Sequence, residues 1–262
     1  DRKSYHLILL CENQKGYQNL VKLISLASLD GFYQKPRVDW ELLSRYHEGL
    51  ICLSGCLAGE VAQKLTGDDY AGAKETALRY RTLFGAENYF LEIQNHQIRD
   101  ELRNLPQLIR LSRETGIPLA ATNDAHYIRR EDAAMQEVLL CIQTGKSLDD
   151  PEHMHFETNE FYLKSTAEMA ALFADVPEAV TNTAKIAERC HVEFQTGKIW
   201  LPKFTMDGVS DCRKLFLQLC RDGLYQHYGA HPSKEVLDRL RMEISVITEM
   251  GYVDYFLIVW DY

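Results

Sequence analysis

Pro118-Leu119-Ala120-Ala121-Thr122-Asn123-Asp124-Ala125-His126-Tyr127 is the stretch from which the rest of this chain is read. The apolar run after Pro118 has the length and bounds of a buried strand, and it leaves through Asn123 and Asp124 towards His126. In extended backbone, residues i and i+2 face the same way. The Asp124 carboxylate and the His126 imidazole therefore converge on one point if strand geometry persists past the end of the run. Two such donors suit a divalent cation. Asn and Asp also favour turns, because their side chains bond to nearby backbone. Taken alone, the pair favours a structural turn over a metal site.

Strand and helix patterns alternate on the N-terminal side of this stretch. Residues 5–11 and 49–53 read as strands, and 88–94 as a third, alternating Tyr89, Leu91 and Ile93 with Phe90 and Glu92. Helical periodicity covers 16–27, 39–46 with Asp39 as N-cap, 69–84 and 99–115, and on the far side 131–143. The pattern predicts an α/β fold of the parallel kind, in which functional groups gather where strands end. The exits carry Cys56 in a small-residue turn, then Asn95 and His96, then Asp124 and His126.

Past Gly145 the pattern changes. Residues 161–164 read as a short strand or hairpin arm, and 166–173, 177–190, 210–228 and 232–250 as helices. Pro177 and Pro232 sit at two helix starts and Gly229 and Gly251 at two stops. The irregular stretch 192–208, with Gly197, Pro202 and Gly208, places a domain boundary nearby. The chain enters its first strand without a polar lead-in and its last apolar element, 253–262, has no C-cap. The natural protein is therefore expected to continue at both ends.

A chain of 262 residues with 46% hydrophobic residues can bury one large domain, or a domain and part of another. Its longest apolar runs, 6–11 and 255–260, are too short to span a bilayer, and the N-terminus lacks a signal-peptide pattern. These features predict a cytoplasmic protein with no membrane partner. The seven cysteines are odd in number and lack paired spacing, which predicts free thiols. A net charge of −9 argues against strong nucleic-acid binding by this chain alone. Arg99, Arg103, Arg110 and Arg113 share one arc of a predicted helix, read here as a solvated face partly neutralised by Asp100 and Glu114.

His6, Cys56, Asp124 and His126 together offer imidazole, thiolate and carboxylate, the donors of zinc and related ions. Such an ion activates water and holds a phosphate oxygen in phosphoester cleavage. The spacing is not diagnostic, a lone buried Cys is usually a small hydrophobe, and His6 precedes its apolar run instead of following it. His96, with Glu92, is a weaker candidate for the same pocket; a hydrogen-bonded loop histidine is the plainer description. His153 and His155 form an H-x-H in a polar segment and read as surface. The chain has no phosphate-cradling glycine loop, nucleophile elbow or Ser-His-Asp order.

Several stretches, taken in one order, resemble a known family. They include Tyr5-His6-Leu7-Ile8-Leu9-Leu10, Gly16-Tyr17-Gln18-Asn19-Leu20, Gly31-Phe32-Tyr33 and Leu53-Ser54-Gly55-Cys56-Leu57-Ala58-Gly59-Glu60. They continue through Ala121-Thr122-Asn123-Asp124-Ala125-His126-Tyr127, Leu139-Leu140-Cys141-Ile142-Gln143-Thr144-Gly145, Leu201-Pro202-Lys203-Phe204 and Met250-Gly251-Tyr252-Val253-Asp254-Tyr255-Phe256. The family is that of the bacterial DNA polymerase III alpha subunits, DnaE type. The resemblance implies that residues 1–174 are the later part of a PHP (polymerase and histidinol phosphatase) domain, a distorted β/α barrel present here in part. Residues 175–262 would be the helical beginning of the polymerase palm. It also implies that His6, Cys56, Asp124 and His126 are metal ligands, for zinc or manganese, in a centre associated with 3′–5′ exonuclease activity or with structural support of the polymerase.

In the parent enzyme the resemblance implies a DNA-directed DNA polymerase, a nucleotidyltransferase of DNA replication using magnesium. Its implied partners are primer-template DNA, dNTPs and replisome subunits such as the sliding clamp. The family's His-x-His and Thr-Asp-His-Gly motifs, and the glutamate that completes the centre, would lie before Asp1. The Gly-Ser motif and the catalytic aspartates of the palm would lie after Tyr262. The chain alone is therefore expected to be inactive and to bind metal weakly. The rival readings are a free-standing PHP-type phosphoesterase and a non-catalytic module that supports the polymerase.

Overall fold

A computed structural model describes residues 4–198 and 200–262. Its elements, in chain order, are β1 (Ile8–Cys11), α1 (Gln14–Leu29), α2 (Trp40–Arg45), β2 (Leu50–Leu53), α3 (Glu60–Thr66), α4 (Tyr70–Phe84), β3 (Tyr89–Ile93), α5 (Arg99–Thr115), β4 (Leu119–Ala121), α6 (Ala133–Thr144), α7 (Thr166–Leu172), α8 (Pro177–Arg189), α9 (Cys212–Tyr228), α10 (Lys234–Glu249) and α11 (Val253–Asp261). Short polar side chains start many of the helices by accepting an otherwise unpaired amide. Asn13 accepts from Gly16 at 3.0 Å, Asp39 from Leu42 at 2.8 Å and Asp69 from Gly72 at 2.9 Å. Ser165 and Glu168 form a reciprocal capping box at α7.

The sheet has the order β1-β2-β3-β4. β2, β3 and β4 are parallel, but β1 runs antiparallel to β2, with Ile8 opposite Leu53 and Cys11 opposite Leu50. Hydrophobic periodicity records which residues are buried and carries no strand direction, so this reversal was outside the sequence pattern. Residues of the parallel strands are buried on both faces. Leu50, Cys52, Tyr89, Leu91, Ile93, Leu119 and Ala121 join the main core with Leu65, Ala73, Ala77, Leu108 and Leu111 from the covering helices. Their neighbours Ile51, Leu53, Phe90 and Ala120 pack on the opposite face around Ile186. Residues 161–164 form no strand; Tyr162 makes a single bridge to Tyr127.

By packing the chain divides into Asp1–Glu193 and Phe194–Tyr262, inside the irregular joint. The boundary expected after Ala174 concerns family domains; packing carries the first unit further, because α8 lies on β4. Phe173, Val176 and Ala179 are buried in the main core, and Asn182 Nδ2 donates to the Leu119 carbonyl at 2.8 Å. Arg189 bonds to Glu12 at 2.7 Å and to the Glu87 carbonyl at 2.6 Å. The second unit is helical, with Phe204, Phe216 and Leu257 as its buried core. The whole is thus an α/β unit followed by a helical one, the expected class. Among the described residues no helix is long and apolar enough to cross a membrane.

Candidate metal centre

The reversal of β1 resolves the position of His6. An antiparallel strand begins at the edge where its partner ends, so a residue before β1 lies beside the exit of β2. His6 bridges Gly59, and its N–H donates to the Ala58 carbonyl at 3.0 Å. Its Nδ1 lies 3.7 Å from Cys56 Sγ. Gly55 permits this approach: its φ is +84°, and a Cβ there would stand 2.8 Å from the His6 carbonyl oxygen.

Asp124 and His126 follow β4, and their loop is held at almost every residue. Thr122 N–H donates to the Ile93 carbonyl at 3.0 Å, Asn123 Nδ2 to the Tyr162 carbonyl at 2.8 Å and His126 N–H to the Phe161 carbonyl at 2.8 Å. The Asp124 N–H donates to His96 Nε2 at 3.1 Å. Asp124 Oδ2 and His126 Nε2 are 3.3 Å apart, exposed, on one side of the loop. The turn and the shared direction of the two side chains are therefore both present.

The four expected ligands form two pairs on one edge of the sheet. Among the described residues, no three His, Cys, Asp or Glu side chains come together as a metal-holding group. The sheet order gives the reason: β3 separates β2 from β4, and two strand spacings amount to about 10 Å. The donor types of each pair fit a divalent cation. The number does not, since each pair brings two donors where a closed site needs about four.

Between the pairs stands Glu92, at 6% exposure. Its Oε1 accepts from Thr122 Oγ1 at 2.6 Å and Gln94 Nε2 at 3.0 Å, while Oε2 meets no hydrogen-bond partner among the described residues. Burial raises its carboxyl pKa and the Asp124 charge adds to this; the Thr122 and Gln94 hydrogen bonds and the Gly55 amide oppose it.

His96 is a buried, hydrogen-bonded loop histidine with both ring nitrogens occupied, so it has no lone pair to offer an ion. Sequence reasoning missed its partner Glu101, and the supports Thr158, Phe161 and Tyr162, because all but Glu101 are remote in the chain. His153 bonds Glu137 across a surface loop. On α5, Arg110 bonds Glu114 at 2.7 Å, and Arg103 pairs with Asp68 instead of Asp100. Lys74 and Arg110 hold the Glu114 carboxyl down at about 2. With Arg103 and Arg110 paired, this is a partly neutralised face.

The PHP domain family model matches residues 1–96, a span that holds His6 and Cys56 and stops short of Asp124 and His126. A second model, the bacterial DNA polymerase III alpha NTPase domain, matches residues 214–262, from within α9 to the end of the chain. The DNA polymerase III subunit alpha of Treponema pallidum (strain Nichols) is 46% identical over 262 residues, 100% of this chain. In sequence, the chain is similar throughout to one segment of the DNA polymerase III alpha subunits. The DNA polymerase III alpha subunits of Borreliella burgdorferi and Campylobacter jejuni are 43% and 39% identical, again over 100% of the chain. The chain spans only 22% to 24% of the length of these three relatives.

Proposed function

We propose that this chain is the PHP segment and the following helical segment of a replicative DNA polymerase alpha subunit. The observation that carries the reading is the 46% identity to such a subunit across all 262 residues. In the parent enzyme, primer-template DNA and dNTPs are the substrates, magnesium serves polymerisation, and replisome subunits such as the sliding clamp are partners, in the cytoplasm. The PHP part contributes His6 and Cys56 from one pair, and Asp124 and His126 from the other, as ligands for zinc or manganese. A bound metal would supply an activated water and a hold on a phosphate oxygen, the chemistry of a 3′–5′ exonuclease. What these residues do themselves is present donors: the loop bonds fix the direction of Asp124 and His126, and Gly55 lets His6 meet Cys56.

A second reading is a PHP domain that supports the polymerase without catalysis; among the described residues the candidate donors come together only in twos. Metal analysis of the full-length parent with Asp124→Ala separates the two. Loss of a stoichiometric metal together with exonuclease activity, with primer extension retained, is the outcome expected of a catalytic centre. Unchanged nuclease activity would leave the supporting role. The 262-residue chain on its own is expected to give no primer extension; robust extension would refute this account of it.

A further inference from the structure

We propose that His96 is a positioning residue for Asp124 and His126, acting as a neutral imidazole locked between the Glu101 carboxylate and the Asp124 backbone amide. The inference rests on the reading of Asp124 and His126 as ligands. A backbone N–H can only donate, so His96 Nε2, 3.1 Å from the Asp124 nitrogen, must be the bare, accepting nitrogen. The ring proton is then on Nδ1 and is donated to Glu101 Oε1 at 2.9 Å. The other oxygen of Glu101 accepts the backbone N–H of His96 itself at 2.6 Å. One carboxylate, placed in the first turn of α5, thus fixes both the backbone and the ring of His96.

A second line of contacts runs to His126. The His96 ring lies flat on Phe161, with centroids 4.5 Å apart and an interplanar angle of 3°. Phe161 in turn meets the His126 ring edge-on at 5.8 Å and accepts the His126 N–H on its carbonyl. Thr158 Oγ1 closes the arrangement by donating to the His96 carbonyl at 2.6 Å. His96 is 1% exposed and therefore acts only through its neighbours. Partners of this kind, which hold a ligand without touching the ion, typically change metal affinity by about 10- to 100-fold.

The hydrogen-bond inventory makes Glu101→Gln a sharp probe. Glu101 faces two donors, His96 N–H and His96 Nδ1–H, whereas a glutamine offers one acceptor and one NH2 group. Either orientation of the amide forces a donor–donor conflict; where its NH2 faces Nδ1, the conflict is relieved by moving the ring proton to Nε2, where it opposes the Asp124 amide. Nuclear magnetic resonance on the isotope-labelled, metal-free 262-residue protein reads this directly. The wild type is expected to show the Nδ1–H tautomer at His96 and a protected Asp124 amide. In Glu101→Gln the amide should exchange faster, on the order of tenfold, the effect of losing one hydrogen bond.

A manganese titration of the same samples, read as paramagnetic broadening at Asp124 and His126, completes the test. His96→Leu is expected to weaken binding by about 10- to 100-fold. His96→Gln, whose carbonyl oxygen can accept the Asp124 N–H, should recover most of it. A proton on Nε2 in the wild type, an Asp124 amide that exchanges alike in all variants, or equal manganese binding by wild type and His96→Leu would overturn the positioning role. No broadening at Asp124 and His126 in the wild type, at manganese concentrations high enough to reveal weak two-donor binding, would refute the ligand reading instead.

Discussion

Gly55 marks how closely the residues of the sheet edge approach one another. Its substitution combines a left-handed backbone with a backbone oxygen 2.8 Å from the new Cβ, whereas Gly116, at φ +68°, has open space around it. A non-glycine residue in this region costs about 1–2 kcal/mol. Gly116→Ala is expected to lose that amount in urea unfolding, and Gly55→Ala to lose more, together with the His6–Cys56 contact. Equal losses would show that the approach to His6 is easily relaxed.

His153 offers a pH-dependent test at the same scale. Its Nε2 lies 2.6 Å from Glu137 Oε1 and its Nδ1 2.6 Å from the Asp150 carbonyl oxygen. Two acceptors on one imidazole call for two protons, so the Glu137 hydrogen bond first, and then that to Asp150, raise its pKa. A raised folded-state value stabilises fully below the unfolded value of about 6.5, and the contribution is lost as pH rises through the folded value. Glu137→Gln should therefore be less stable than wild type in acidic buffer, and the two should converge in alkaline buffer, as read by urea unfolding. The residue types of the candidate ligands were legible in the sequence, as was the shared direction of Asp124 and His126. The clamp on them was not, because hydrogen bonds such as Asp124 to His96 join residues 28 apart.

At the scale of elements, period and punctuation carried most of the information. α5 spans the residues its apolar stripe predicts, and Asp39 and Asp69 cap the helices they precede. What failed to show was direction and pairing: β1 is reversed, and residues 161–164 support the Asp124 loop through a bridge and side-chain bonds, with no ladder. α8 illustrates a third gap. Its sequence reads as the first helix of a helical segment, yet Ile186 is 5% exposed among Ile51, Leu53, Phe90 and Ala120. Ile186→Ala is expected to destabilise the sheet unit by about 2–5 kcal/mol. Glu188→Ala, on the exposed side of the same helix, should stay within about 0.5 kcal/mol. Calorimetry or denaturant unfolding checks both, and a negligible effect of Ile186→Ala would detach α8 from the sheet.

At the scale of the whole molecule, two units of unequal core share one chain. Among the described residues the first buries a large apolar cluster, and the second only Phe204, Phe216 and Leu257, while Met242, Val246, Met250, Val259 and Trp260 are exposed. A small core stabilises weakly, so unfolding should depart from a single transition, with the helical unit melting first. Between α8 and α9 the described residues carry no helix or strand, and Lys198 and Lys203 lie there. Brief trypsin treatment followed by mass spectrometry is expected to find cleavage at these lysines before any within α1 to α8. Early cuts inside the sheet unit would contradict this ranking.

The reversed first strand also sets an order of events in folding. His6 and Cys56 are 50 residues apart and meet only after β1 has found β2. Closing a loop of that length costs chain entropy before the new contacts offset it, whereas the helices between them form from local interactions. A slip of one residue in the pairing would turn every β1 side chain to the other face. The thiol and imidazole therefore come together late and in one register alone, which makes their contact a gauge of correct folding as well as a pair of metal donors.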